Sequence, residues 1–495
     1  MDDLISSRMA KLEQFRDAGH EPYPYAFDRS HTLLELTESF DALLQQKVIV
    51  AIAGRLVAKR IMGKVCFAHV QDDTERMQIY VKGDDVTTYS LFKSAIDIGD
   101  WVGVNGSLMV TRTGERTLCV SEWMLLSKCI RPLPLGKEEQ ETGRRHDVLS
   151  DPDQRYRNRA LDLAVNPERR EVFRARARII SLIRHHLDQA GFLETETPAL
   201  QPLYGGGTAA PFETYHNQLK KKLYLRIADE LYLKRLIVGG LSRVYELAKD
   251  FRNEGVDRTH NPEFTMMECY AAFEDYTFHM DLVEEMVADI AMQLHGTWSV
   301  PYGQGKIDFT PPWPRVSFFA TLQEVSGRDL LGSNLSAVRS LAAEKGIELP
   351  DSATCAKSID IIFSELVEPT FERPTFVVDY PLELCPLARQ HRSDPRLAER
   401  FEAFAGGMEI ANAFSELNDP VDQRSRLQEQ ARQRAGGDDE AMPLDEDYLQ
   451  ALELGMPPAA GLGMGIDRLT MIMTNQTSIR DVILFPLLRD RDQGD

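Results

Sequence analysis

The stretch FRNEGVDRTHNPEFTMMECY, from Phe251 to Tyr270, sets Arg252, Glu254, Asp257, Arg258, His260, Glu263 and Glu268 beside Phe264, Met266, Met267 and Tyr270. A charge on a buried strand costs stability unless it is paired or used. FRNE reads as the end of one strand and EFTMMECY as the next, with GVDRTHNP as the loop between them and Gly255, Asn261 and Pro262 as its turn residues. Period two puts Arg252 and Glu254 on one face of the first strand. On the second strand Phe264, Met266, Glu268 and Tyr270 share one face, and Thr265, Met267 and Cys269 the other. One surface of a hairpin could thus offer a cation, carboxylates, a ring and a phenol. A guanidinium suits bidentate grip of phosphate or carboxylate. Phe264 could stack on a planar base, and Arg258 and His260 could reach phosphate. The structural alternative is an internal Arg252–Glu268 ion pair under a solvated loop.

A second cluster, FEAFAGGMEIANAFSELNDP, repeats carboxylates (Glu402, Glu409, Glu416) among Phe and Ile. Carboxylates on an apolar strand bind a hard cation such as Mg²⁺ or receive a cationic ligand. Strict alternation sets Glu409 opposite in sense to Asn412, Phe414 and Glu416, so a bulge or twist is needed to converge them. Asp419-Pro420 then reads as an N-cap and first-turn proline. In LYLRIADELYLKRL, Glu230 by itself reads as an exposed helix carboxylate. GLGMGIDRLTM has neither dinucleotide-fold nor P-loop spacing. Arg468, one turn into the apolar helix after this glycine-rich turn, needs an anion to meet. No Ser/His/Asp or Cys/His arrangement is present, so the chemistry expected is binding and charge stabilisation.

The elements that must position these groups fall into segments. The chain has 495 residues, 43% hydrophobic and 27% charged, enough for several domains. No apolar run approaches the roughly 18 residues of a membrane span. MDDLISSRMAKLEQF is acidic and lacks an apolar signal core, and the six cysteines form no CxxC pair, so a reduced cytoplasmic setting is expected. A net charge of −20 argues against non-specific coating of nucleic acid. Residues 46–132 nevertheless carry 12 Lys+Arg against 9 Asp+Glu, a locally basic module on an acidic body.

Residues 1–45 read as a helical segment, with Leu4, Met9, Leu12 and Phe15 as one stripe. Five short strands over 46–132 predict a small barrel of the oligonucleotide-binding (OB) kind. In it Cys66, Ala68 and Val70 share a face with Met77, Ile79 and Val81 as core, turning Phe67, Arg76, Gln78 and Tyr80 outward together. An exposed aromatic beside amide and guanidinium groups suits single-stranded bases. The alternative is a second packing face. Residues 133–155 read as a charged, Pro-rich linker, and 156–495 as one large domain with a helix near 171–190, a strand FLETETPAL cut off by Pro198, a helix at 278–294 and a helical insertion near 333–370.

These segments, in this order, resemble the class II aminoacyl-tRNA synthetases, within them the lysyl-tRNA synthetase family of bacterial and eukaryotic cytosolic type. GFLETETPAL is similar to motif 1, FRNEGVDRTHNPEFTMMECY to motif 2 and GLGMGIDRL to motif 3. RIADELYLKRL and EIANAFSELND resemble the family's amino-acid-pocket segments. The resemblance implies an α+β chain: an OB-fold anticodon-binding barrel before an antiparallel-sheet catalytic domain, dimeric through motif 1. It implies activation of L-lysine by ATP and Mg²⁺ and transfer to tRNA(Lys). Arg252 would hold the lysine carboxylate and α-phosphate. Glu254, His260, Asn261 and Phe264 would bind ATP, with Arg468 across the base from Phe264 and near the γ-phosphate. Glu402 and Glu409 match Mg²⁺ ligands, and Glu230 the α-amino ligand. Glu268, Tyr270, Asn412, Phe414 and Glu416 would form the side-chain pocket, and Phe67, Gln78 and Glu122 would read the anticodon. Three positions depart from the family pattern: Ala210 stands for a basic residue, Asp229 for proline and Ala160 for tyrosine.

Several other functions fit less well. An aspartyl- or asparaginyl-type synthetase would need basic or amide groups at Glu268 and Glu416. A binding protein that had given up catalysis should lack Arg252, Glu409 or Arg468. A lysine ligase acting on protein would not need the barrel.

Overall fold

The computed structural model describes residues 2–86, 88–138, 145–436 and 441–490, with the backbone alone at 136–138 and 145–148. The chain forms two compact units, Met1–Arg169 and Arg170–Asp495.

The first unit opens with α1 (Asp2–Asp17) and α2 (Leu33–Gln46). Of the expected stripe on α1 only Leu12 and Phe15 are buried; Leu4 and Met9 face solvent. Thr32 starts α2 with a capping box to Glu35. The strands β1 (Ile49–Met62), β2 (Val65–Gln71), β3 (Arg76–Lys82), β4 (Trp101–Val110) and β5 (Arg116–Ser127) close into a barrel in the order β1-β2-β3-β5-β4, with α3 (Tyr89–Ala95) between β3 and β4. Cys66, Ala68, Val70, Met77, Ile79 and Val81 all point into its core.

The outward face differs from expectation at one position. Phe67 and Tyr80 meet at 5.0 Å between ring centroids. Gln78, however, is buried: Thr117 Oγ1 donates to its Oε1 at 2.8 Å, and its amide donates to Glu115. The parallel partner strand β5 covers it. Glu122 is exposed and accepts from Asn105 Nδ2 at 3.4 Å. Within 133–155, Leu135–Glu138 and Arg145–Val148 pair as antiparallel strands and Pro152–Arg157 is helical with Asp151 as its N-cap, so this stretch is more ordered than a plain linker. Residues 139–144 of it lie outside the described residues.

The second unit is built on an eight-stranded sheet. Its strands are β6 (Leu193–Glu194), β7 (Arg243–Phe251), β8 (Glu263–Ala272), β9 (Arg315–Ser317), β10 (Thr375–Pro381), β11 (Leu397–Ala405), β12 (Met408–Ser415) and β13 (Ala459–Gly465). The order is β9-β10-β11-β12-β13-β8-β7-β6, antiparallel except at the β9–β10 and β7–β6 pairs. One face is apolar. There Met267, Cys269, Ala411, Ala413, Leu462 and Met464 pack with α4 (Glu168–Gln189) and α5 (Tyr276–His295), through Ile179, Ile183, Val283 and Val287. The helices Leu335–Lys345 and Cys355–Leu366 form a satellite core with Phe318 and Phe363.

Three local readings need correction. The first motif strand ends at Phe251, so Arg252 and Glu254 lie in the loop, where Arg252 N donates to Pro262 O at 2.9 Å. The strand expected in FLETETPAL up to Pro198 is shorter: only Leu193–Glu194 pairs with β7, while Leu200–Gln201, beyond that proline, joins a separate three-stranded sheet. AGLGMG is strand β13, not a turn; its flanking partners β8 and β12 supply the ladder that glycine alone would not favour.

One buried carboxylate ties these layers together. Asp467 accepts from Thr265 N at 2.7 Å and from Arg176 Nη1 at 2.6 Å. Removing one partner of a buried pair strands the other charge. Asp467→Ala is expected to cost about 3 kcal/mol in urea unfolding; a loss under about 1 kcal/mol would show the pair to be dispensable.

Candidate active site

The second face of the sheet carries a cavity of about 400 Å³. Its floor is β13, where Gly461, Gly463 and Gly465 line the cavity while Leu462 and Met464 enter the core. A Cβ on Gly461 would lie 2.3 Å from both Glu416 Oε1 and Tyr270 Cε1, so bare backbone is required there. The beat of β8 brings Phe264, Met266, Glu268 and Tyr270 to the same cavity.

Converging the second cluster takes a bulge. Ala403 pairs with Ala411, but the next pair is Phe404 with Glu409, leaving Ile410 as the extra residue on β12. Ile410 is buried in the core, and Glu409, Asn412 and Phe414 line the cavity with Glu402, which sits opposite Asn412.

The cavity has two chemically distinct ends. At the outer end Arg468, on α6 (Ile466–Met473), donates to Glu409 Oε2 at 3.1 Å and to His260 Nε2 at 3.0 Å. Asp257 accepts from His260 Nδ1 at 2.8 Å and from two loop N–H groups at 2.7 Å, fixing the loop that carries His260. Glu254 and Asn261 also line this end, Asn261 with its amide donating to Glu263 O at 2.6 Å. The Arg252 guanidinium lies over the Phe264 ring at 5.1 Å and, among the described residues, makes no ion pair with Glu268. The Arg252–Glu268 alternative is therefore not formed.

The inner end is acidic. Glu230 begins the helix Glu230–Val238 and is buried, not exposed, since that helix packs its first turn against the cavity. Glu268 and Glu416 are also buried, and Tyr270 OH donates to Glu268 Oε2 at 3.1 Å. Burial, with Asp250 and Glu230 nearby, pushes the Glu268 carboxyl up to about 8. Behind it Asp229 and Asp250 are fully buried. Arg226 lies 2.9 Å from Asp229, 2.7 Å from Glu246 and 3.4 Å from Asp250. Ala210 stands beside the loop, its carbonyl accepting from Asn253 N at 2.8 Å.

Two cations here were not singled out by sequence. Lys234 is fully buried and paired with both Glu230 and Glu416; its position four residues after Glu230 on one helix was the available signal. Arg400 donates to Asn412 Oδ1 at 2.9 Å and pairs with Glu402. Glu402 also accepts from Tyr380 OH at 2.8 Å, and burial, against the pull of Arg400 and with Glu409 nearby, pushes its carboxyl up to about 8. Two carboxylates lining one cavity offer the all-oxygen ligands that a hard divalent cation takes, so Glu402 and Glu409 are the residues suited to hold one.

An acid whose pKa is raised on folding stabilises the protein fully below its unfolded value and progressively less as pH rises through its folded value. For Glu268 that window runs from 4.5 to about 8. Unfolding free energy measured from pH 5 to 9 is expected to fall less steeply in Glu268→Gln than in the parent; equal slopes would remove Glu268 as the source.

The family model described as tRNA synthetases class II (D, K and N) matches residues 151–489, and that of the OB-fold nucleic acid binding domain of anticodon-binding type matches 50–126. The chain is 50% identical to a protein of Chloroflexus aurantiacus named lysine–tRNA ligase, over 99% of both chains. It is 49% identical to a protein of the same name from Pelotomaculum thermopropionicum, over 99% of this chain and 96% of that one. A Carboxydothermus hydrogenoformans protein with that name is 47% identical over 99% of both. With an OB barrel, an antiparallel sheet whose charged face holds the cavity, and likeness along the full chain, this protein belongs to the class II tRNA synthetases of the D, K and N group.

Proposed function

We infer that this chain is a lysine–tRNA ligase: it activates L-lysine with ATP to lysyl-adenylate and transfers the lysyl group to tRNA(Lys), releasing AMP and diphosphate. Likeness to relatives of that name over the whole chain carries the assignment. The acidic inner end of the cavity agrees with it, because Glu268 and Glu416 would attract an ammonium group and repel an aspartate side chain.

In this reading ATP takes the outer end. Phe264 stacks under the adenine, Arg468 covers its other side and reaches the γ-phosphate, and Glu254, His260 and Asn261 position the nucleotide. Arg252 leaves the Phe264 ring to bridge the lysine carboxylate and α-phosphate. Glu230 takes the α-amino group, and Glu268, Tyr270, Asn412, Phe414 and Glu416 enclose the side chain. The attacking carboxylate is already ionised, so no general base is required; alignment and charge neutralisation by Arg252 carry the step. Glu402 and Glu409 would hold Mg²⁺, which when bound supplies screening of the triphosphate. Phe67, Gln78 and Glu122 on the barrel read the anticodon, with Gln78 first exchanging its bond to Glu115 for one to a base. The working form is a homodimer joined through the motif 1 region. Among the described residues no helix is long and apolar enough to cross a membrane, and we place the protein in the cytoplasm.

Amino-acid-dependent ATP–pyrophosphate exchange, run with each of the twenty amino acids, should respond to lysine well above the rest. Absence of a lysine response would sink the assignment. Phe67→Ala should lower tRNA charging by about tenfold, the worth of one stacked base, and leave exchange unchanged. A matching fall in exchange would make the barrel position structural.

A further inference from the structure

Lys234 puts an ammonium group of the protein's own among the carboxylates that the proposed reading gives to the substrate. Its side chain has no exposed surface. It pairs with Glu230 Oε1 and Glu416 Oε2 and lies 5.3 Å from the Phe414 ring centroid. Glu230 and Lys234 sit one turn apart on the Glu230–Val238 helix, whereas Glu416 follows β12, so the ammonium bridges two separate elements.

The charge inventory gives this bridge a meaning. The inner end holds Glu230, Glu268 and Glu416, and lysine brings two ammonium groups and one carboxylate. Arg252 answers the substrate carboxylate. Lys234 supplies a fixed cation between two of these three carboxylates. Burial lowers its pKa, yet Glu230 and Glu416 more than offset this and hold it above the ordinary lysine value. It is therefore a fixed cation at neutral pH.

We propose that Lys234 is a positioning residue for lysine recognition: by bridging Glu230 and Glu416 it holds these two carboxylates, which come from separate elements, in the arrangement that receives the substrate's ammonium groups. The proposal rests on the lysine-site reading above. The groups facing this bridge are Glu268 and Tyr270 from β8, Arg400 from β11 and Tyr448 from the helix Glu446–Glu453. Asp229, Glu246, Asp250 and Arg226 stand behind Glu268. None of the cations among them reaches Glu416 by ion pair among the described residues, so Lys234 has no substitute.

The test is the kinetics of lysine-dependent ATP–pyrophosphate exchange in the full-length protein. In Lys234→Met the KM for lysine should rise by at least about tenfold, with the KM for ATP within about twofold of the parent. Lys234→Arg, which keeps the charge, should recover most of the parent KM for lysine. Lys234→Gln, polar and similar in length, serves if the Met variant does not fold and should show the same selective rise. An unchanged KM for lysine in the neutral variants, or equal rises in both KM values, would overturn the proposal by making Lys234 a structural residue. A parent enzyme without lysine-dependent exchange would overturn the site reading as well, which separates the two failures.

Discussion

Burying carboxylates on one face of an antiparallel sheet is the constraint that shapes this protein. Each ion taken out of water costs several kcal/mol unless a counter-charge or hydrogen bonds recover it. Glu268, Glu402 and Glu409 from the sheet and Glu230 from a neighbouring helix line one cavity, Glu416 is buried just past β12, and the fold answers with Lys234, Arg400 and Arg468 placed within ion-pair reach. The balance is deliberately incomplete at Glu268, whose carboxyl stays raised to about 8. A carboxyl kept from ionising by its surroundings is one that a cationic substrate can satisfy.

The opposite face of the same strands explains why the charges hold their places. Met267, Cys269, Leu462 and Met464 interdigitate with α4 and α5 in a continuous core, and close packing leaves the strands little freedom to shift. Side chains projecting from such a platform are preorganised, so charge stabilisation needs no rearrangement of the floor when phosphate charge develops. The outer end is looser. Arg252 and His260 sit on a loop organised by Asp257, and Arg252 rests on the Phe264 ring that the adenine would occupy. In the proposed reading, nucleotide binding at that end exchanges an internal contact for a ligand contact, whereas carboxylates of the inner end are already held by Lys234.

The barrel shows a milder version of the same rule. Alternation sends Phe67 and Tyr80 outward as a pair, but Gln78 on the same face is held by Thr117 and Glu115 from across the sheet. Outward in register is not the same as free to bind, because a neighbouring strand can supply the partner first.

Period-two patterning by itself determined much of the architecture: five barrel strands with their core set, the cavity-facing set of β8, and the need for an irregularity between Glu409 and Asn412. The resemblance of the motifs to the family implied which residues would meet nucleotide and lysine. What the sequence left undecided depended on partners distant along the chain. The glycines of AGLGMG read as a turn until β8 and β12 flanked them, after which the same lack of side chains became an open floor. Glu230 read as a solvated helix carboxylate because its burial comes from contacts that no local pattern reports. Lys234 passed unnoticed for the same reason: its two partners, Glu230 and Glu416, come together only when helix and sheet dock. Local periodicity tells which way a side chain points; only tertiary structure decides whether water, a counter-ion or a substrate meets it there.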